Sequence, residues 1–148
     1  MLRTSIFLIT VFASAFVAVS LPAAGVSDSA NITLVDVETR AAQVTHVGRG
    51  TWFNVGLGNC GYIDKDSDPI VAIAKSRYDA ANGGNCNQWV EIVDTKNGKK
   101  AYGKTRDSCP GCGSEDLDLS PSLFTKFEPL SVGVLEISWH FKEKGWSP

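Results

Sequence analysis

Between Asp107 and Pro121 the chain runs Asp-Ser-Cys-Pro-Gly-Cys-Gly-Ser-Glu-Asp-Leu-Asp-Leu-Ser-Pro. A half-cystine loop that leads at once into a carboxylate between two leucines leaves the backbone few options. If the segment around Leu117 and Leu119 is extended, both leucines lie on one side and Asp118 on the other, because side chains alternate along a strand. Burying the leucines then gives Asp118 a rigid, solvent-facing mount, as a candidate acid or hydrogen-bonding ligand. Asp107 opens the loop and is a candidate for the same surface, although an Asx-turn over the Cys-Pro-Gly-Cys corner is the plainer use of its side chain.

The chain has four cysteines, Cys60, Cys86, Cys109 and Cys112. Residues 1–25 read as a secretory signal, with Arg3 as the positive n-region, an apolar run from Ile6 to Val19, and small residues at Ser20 and Ala23 to Gly25. Cleavage after Ser20 and cleavage after Gly25 both satisfy the small-x-small rule. The run is shorter than the roughly 20 residues that span a bilayer, so a secreted product in the extracellular space or cell wall is expected, without a membrane segment. Oxidation then favours two disulfides. Three connectivities are open, and Cys60–Cys86 with Cys109–Cys112 is the expected one, the latter closing a tight loop through Pro110 and Gly111. A zinc site would need a second close Cys/His pair, and a thioredoxin-like site would need a helix where Gly113-Ser114 follows. Gly56-Leu57-Gly58 lacks the strand-to-helix context of a phosphate loop. No metal or other cofactor is expected.

Loss of the signal removes Arg3 from the 14 Lys and Arg and none of the 16 Asp and Glu, moving the formal charge from -2 to -3. With no run of cations to neutralise successive phosphates, nucleic acid is not an expected partner. Lys96 to Lys100 sit beside the Asn97-Gly98 turn signal and read as a hairpin tip. Residues 26–47 lack a sustained period and read as a flexible leader carrying the sequon Asn31-Ile32-Thr33. One domain then runs over 48–146, too short for a second core. Its pattern is short strands between turns: Arg49 to Val55, Ile70 to Ala74, and Gln88 to Val93 joined to Lys99 to Thr105. Ser120-Pro121 reads as an N-cap and first turn of a short helix through Phe127. In the last strand Leu135, Ile137, Trp139 and Phe141 alternate with Glu136, Ser138, His140 and Lys142. His46 falls in the leader and His140 on a polar face, and neither reads as functional.

Gly50-Thr-Trp-Phe53, Gly58-Asn-Cys-Gly-Tyr62, Asn85-Cys86, the Asp107 to Gly113 loop, Asp116-Leu-Asp-Leu-Ser-Pro-Ser-Leu-Phe124 and Gly133 to Trp139 together resemble, in order, the rare lipoprotein A-like double-psi β-barrel domain. The likeness covers roughly residues 48 to 142, and within that superfamily the chain most resembles the single-domain fungal expansin-like proteins called loosenins. It implies an all-β fold: a small six-stranded double-psi β-barrel with one or two short helices. Expansins carry a His-Phe-Asp motif in a polysaccharide groove, and Asp116-Leu117-Asp118 matches it, keeping the aspartate alone. Thr51 matches the threonine of the expansin Thr-Phe-Tyr strand. Family-45 endoglucanases pair the matching acid with a base in a Tyr-Trp-Asp sequence, where this chain has Trp52-Phe53-Asn54. An amide cannot take the proton from water, so Asn54 argues against inverting hydrolysis. Asp66 and Asp68 stand close by but read as an ordinary Asp-Ser-Asp-Pro turn.

The leading expectation is a secreted, non-hydrolytic protein that binds or loosens cell-wall polysaccharide (cellulose, chitin or another glucan) and acts as a monomer. Its expected binding residues are Asp118, Thr51, Asp107, Tyr62 and Trp52, with Trp89 and Tyr102 as further stacking candidates and Trp146 closing the barrel end. A lytic transglycosylase acting on peptidoglycan is an alternative; it needs only one acid, Asp118, with a raised pKa. A secreted protein-binding effector or protease inhibitor is another, with the loop Asp79 to Gln88 as its contact surface.

Overall fold

The computed structural model describes residues 43–148. The signal segment 1–25, its cleavage points, the sequon at Asn31 and the leader up to residue 42 lie outside the described residues. Six strands are present: β1 His46–Trp52, β2 Ile70–Ala74, β3 Trp89–Asp94, β4 Lys100–Cys109, β5 Leu117–Leu119 and β6 Leu135–Phe141. They close into a barrel in the order β1-β5-β2-β4-β3-β6. The β1/β5 and β2/β4 pairs are parallel and the remaining pairs antiparallel. This is the six-stranded double-psi barrel that the resemblance implied.

Alternation drives the closure. Leu135, Ile137 and Trp139 of β6, Val90 and Ile92 of β3, Leu117 and Leu119 of β5, and Val71 and Ile73 of β2 all point into one buried core, which Leu123, Phe124 and Phe127 share. Fully burying a side chain of this size contributes about 1.5–3 kcal/mol. Gly103 faces inward on β4, and a Cβ there would lie 2.4 Å from Leu123 and 2.5 Å from Val71, so only glycine fits.

Several local expectations shift. β1 begins at His46, inside the segment read as leader, because His46 pairs with Trp139 and stacks on its indole at 4.2 Å between ring centroids. Its Nδ1 lies 2.5 Å from a Glu115 oxygen, and Arg77 donates to the other oxygen at 2.7 Å. The helix after Ser120 stops at Phe124 instead of Phe127. Ser120 makes no side-chain cap: its hydroxyl donates to the Asp68 carbonyl at 2.6 Å and accepts the Ile70 N–H at 3.1 Å, tying the entry of β2 to β5. A six-residue helix, α1 Lys75–Ala80, follows β2 and carries a Lys75–Asp79 ion pair, making the helix after Ser120 α2 (Pro121–Phe124). Too short for an apolar period and lacking a side-chain cap, α1 left no sequence signal. His140 is not freely solvated: its ring is largely covered, and its Nε2 is buried without a hydrogen-bond partner.

The cysteines pair as Cys60–Cys86 and Cys109–Cys112. No helix among the described residues is long and apolar enough to cross a membrane.

Candidate functional site

With Leu117 and Leu119 buried, Asp118 emerges on the outer face of β5. The parallel register places Thr51 of β1 beside it, and the antiparallel register places Ala72 of β2 on its other side. Ala72 in turn pairs with Asp107 of β4, past a register shift in the β2/β4 pair. Thr51, Asp118, Ala72 and Asp107 therefore form one row across four strands. The two aspartates stand two strand spacings apart, roughly 9–10 Å between backbones, over the small side chain of Ala72.

The Thr51 hydroxyl donates to Asp118 Oδ1 at 2.7 Å. Burial pushes the Asp118 carboxyl above the ordinary aspartate range. The Thr51 hydroxyl and the Leu119 N–H pull it back in part, and the charge of Asp107 adds to the rise. Two residues earlier, Asp116 has the opposite fate. It accepts the Arg49 N–H at 2.8 Å and the Arg49 guanidinium at 2.7 and 3.2 Å, and Arg49 holds its carboxyl below the usual range. Asp116 is a staple between β1 and the loop before β5, its carboxylate engaged by Arg49 and the Gly113 N–H.

Asp107 does not close an Asx-turn over the Cys-Pro-Gly-Cys corner. Its Oδ1 accepts the N–H of Ser108 at 2.7 Å and of Asn59 at 2.8 Å, so it binds a distant loop. That loop is itself fixed. Cys60 donates its N–H to the Arg106 carbonyl at 3.1 Å and is bonded to Cys86, and a Cβ on Gly58 would meet the same carbonyl at 2.4 Å. Tyr62 belongs to this loop, with the Arg106 guanidinium 3.7 Å from its ring centroid, beside the Asp107 end of the row.

Trp52 is not brought to the row. Alternation turns it away from Thr51, its ring packs on the core, and its indole N–H donates to the Leu130 carbonyl at 3.1 Å. Trp89 and Tyr102 lie on β3 and β4 with Trp146 against them, on the outer face of a different part of the barrel. The Asn54 amide donates to Asp66 at 2.8 Å, and Asp66 also accepts the Val55 N–H at 2.8 Å. Asp68 accepts the Lys65 N–H at 2.8 Å. Asp68 holds its own turn, as expected, whereas Asp66 reaches back to the segment after β1 and is tied to Asn54 and Val55. Among the described residues no three His, Cys, Asp or Glu side chains converge as a metal site would require.

A Streptomyces papain inhibitor superposes on the barrel with a TM-score of 0.60 and 32% identity, over 68% of this chain and 96% of the inhibitor. The chain belongs to the double-psi β-barrel family of expansin-like domains. An expansin of Clavibacter michiganensis superposes with a TM-score of 0.59 and 25% identity, over 71% of this chain and 54% of the expansin. The chain thus spans about half of that protein. A variant of the same bacterium's expansin, in complex with cellohexaose, gives 0.60 and 24% over the same shares. No protein-family model matches the chain, nor does any curated protein sequence.

Proposed function

We propose that the protein is a secreted, non-hydrolytic polysaccharide-binding barrel whose binding surface is the row Thr51–Asp118–Ala72–Asp107. The observation that carries the reading is the state of Asp118. Its carboxyl is half-buried, has Thr51 as its one side-chain donor among the described residues, and keeps unused acceptor capacity on an outer face. A carboxylate in that state gains most from the hydroxyl of an incoming sugar. Ala72 keeps the floor between the aspartates low, and Tyr62 offers a partly exposed ring at one end. The Clavibacter expansin, one variant of which binds cellohexaose, supports glucan as the ligand class.

Hydrolysis by inversion needs a second carboxylate that activates water. Asn54 occupies the position that the resemblance assigns to that base, and its amide is engaged with Asp66. The raised carboxyl of Asp118 meets the one electrostatic requirement of a single-acid transglycosylase, so products must be measured together with binding. Incubating the mature protein with cellulose, chitin or peptidoglycan should retain it on a glucan or chitin with no soluble sugar released, and Asp118→Asn should weaken retention. Released products that vanish in Asp118→Asn would make the protein an enzyme and overturn the reading.

A second reading, protease inhibition, has its own support. The papain inhibitor matches along nearly its whole length, whereas the expansin is matched over half. Asp79 to Gln88 carries no large exposed hydrophobic side chain, but the neighbouring loop does. Leu57 and Ile63 are 73% and 82% exposed, face each other across an isolated bridge, and are held by the Cys60–Cys86 disulfide. Rigid presentation of apolar groups lowers the entropic cost of docking a protein partner. Titrating papain with the protein tests it: inhibition lost in Leu57→Asp and Ile63→Asp but kept in Asp118→Asn would move the function to this loop.

A further inference from the structure

The outer face of β4, β3 and β6 carries a second cluster that the Asp118 row does not use. Glu91 stands at its centre, paired across the strands with Tyr102 on one side and His140 on the other. Trp89 pairs with Lys104, and Trp146, beyond the end of β6, folds back to lie 4.9 Å from Tyr102 and 6.5 Å from Trp89 between ring centroids. The Lys104 ammonium lies 5.6 Å from the Trp89 ring and the Lys142 ammonium 5.0 Å from the Trp146 ring.

The hydrogen-bonding capacity of this face is one-sided. Lys100 lies 2.7 Å from Glu91 and Lys142 3.5 Å, so its one central carboxylate is shared between two ammonium groups. Burial alone would push the Glu91 carboxyl up, but the hydrogen bonds from Lys100 and Tyr102 outweigh it and hold the group below its usual range. What remains is donors. Lys104 has no carboxylate partner among the described residues. Trp52 and Trp139 donate their indole N–H groups to the carbonyls of Leu130 and Glu115, whereas Trp89 and Trp146 have no acceptor among the described residues. In the tail between Lys142 and Trp146, Glu143 and Lys144 are both exposed and offset each other.

Indole and phenol rings at a surface suit the C–H face of a sugar ring, and surplus ammonium and N–H donors suit an anion. A neutral glucan would leave the ammonium groups unused. We propose that the face formed by Trp89, Tyr102, Lys104, Lys142 and Trp146 binds an acidic, uronate-bearing polysaccharide, its pyranose rings on the aromatics and a carboxylate on Lys104 and the indole N–H groups. This site is independent of the Asp118 row.

The test is to record the tryptophan indole signals of the mature protein by NMR during titration with tetragalacturonate, and separately with cellohexaose and with a short oligothymidylate. Tetragalacturonate should shift the Trp89 and Trp146 signals saturably. Its affinity should fall about tenfold in Lys104→Glu, the effect of losing one charge-assisted contact, and stay unchanged in Asp118→Asn. Lys104→Gln, which removes the charge without reversing it, should give an intermediate loss. Indole signals that do not respond to tetragalacturonate, or that respond as strongly to cellohexaose or to oligothymidylate, would overturn the proposal. Because Asp118→Asn and cellohexaose probe the other row, either site can fail without the other.

Discussion

Asp118 and Glu91 each stand mid-strand on the outer face of the same barrel, each between cross-strand neighbours, yet their surroundings treat them in opposite ways. Around Asp118 the neighbours are Thr51 and Ala72, which give one hydroxyl and no cation, and burial leaves its carboxyl above the usual range. Around Glu91 they include Lys100, Lys142, Tyr102 and His140, and its carboxyl is held below that range. A saturated carboxylate contributes to the fold. An under-satisfied one costs the fold something and is available to a ligand. Asp116, two residues from Asp118 but clamped by Arg49, shows that neighbours rather than strand position decide between the two.

The comparison breaks most visibly if the loop that fixes Asp107 is released. Removing the Cys60–Cys86 bond by a double serine substitution should cost about 3 kcal/mol, measured by denaturant unfolding, and should weaken glucan retention because Asn59 no longer holds Asp107. Next in size, Glu91→Gln loses charge-assisted hydrogen bonds on the saturated face. It should lower stability by about 1–3 kcal/mol while leaving glucan retention intact.

Asp118→Asn should do the reverse: weaken glucan retention, yet raise the thermal midpoint slightly at neutral pH. The sign follows from the raised carboxyl. The folded state disfavours the ionised form, so folding opposes a charge that the unfolded chain carries freely above the ordinary aspartate range. The neutral amide of the variant escapes that cost, and the difference in midpoint between the two proteins should close as the pH falls from the raised folded-state range to the ordinary aspartate range, below which Asp118 is protonated in both states. Equal midpoints at neutral pH, or a gap that widens in acid, would contradict the assignment of Asp118 as the strained group. The smallest effect belongs to Arg49→Ala. It removes an exposed guanidinium, whose ion pair is screened, while the backbone N–H groups of residue 49 and Gly113 still hold Asp116, and it should leave retention unchanged in a pull-down.

The sequence made some of this legible. Alternation around Asp118 and along Leu135 to Phe141 announced which side chains were buried, and the ordered motifs carried the barrel topology that periodicity could not. Thr51 and Asp118, matched to separate motifs, are hydrogen-bonded neighbours in the barrel. The rest depended on register between distant strands. Nothing near Asp107 in the chain shows that Ala72 will stand between it and Asp118, or that Asn59 will donate to it. Trp52 does not join Thr51 on the row, because one residue along a strand reverses the face. His46 looked idle because its partners, Trp139 and Glu115, are far away in sequence. The donor-rich face around Glu91 draws on three strands and a tail, and no local pattern marks it.

The most direct measurement is a carboxyl-resolved NMR titration of the mature protein, with and without cellohexaose. Asp118 should titrate above the ordinary aspartate range and its signal should respond to the oligosaccharide, while Glu91 titrates below the ordinary range and does not respond. A bound oligosaccharide that leaves Asp118 unmoved, or an Asp118 that titrates like a free aspartate, would contradict the account.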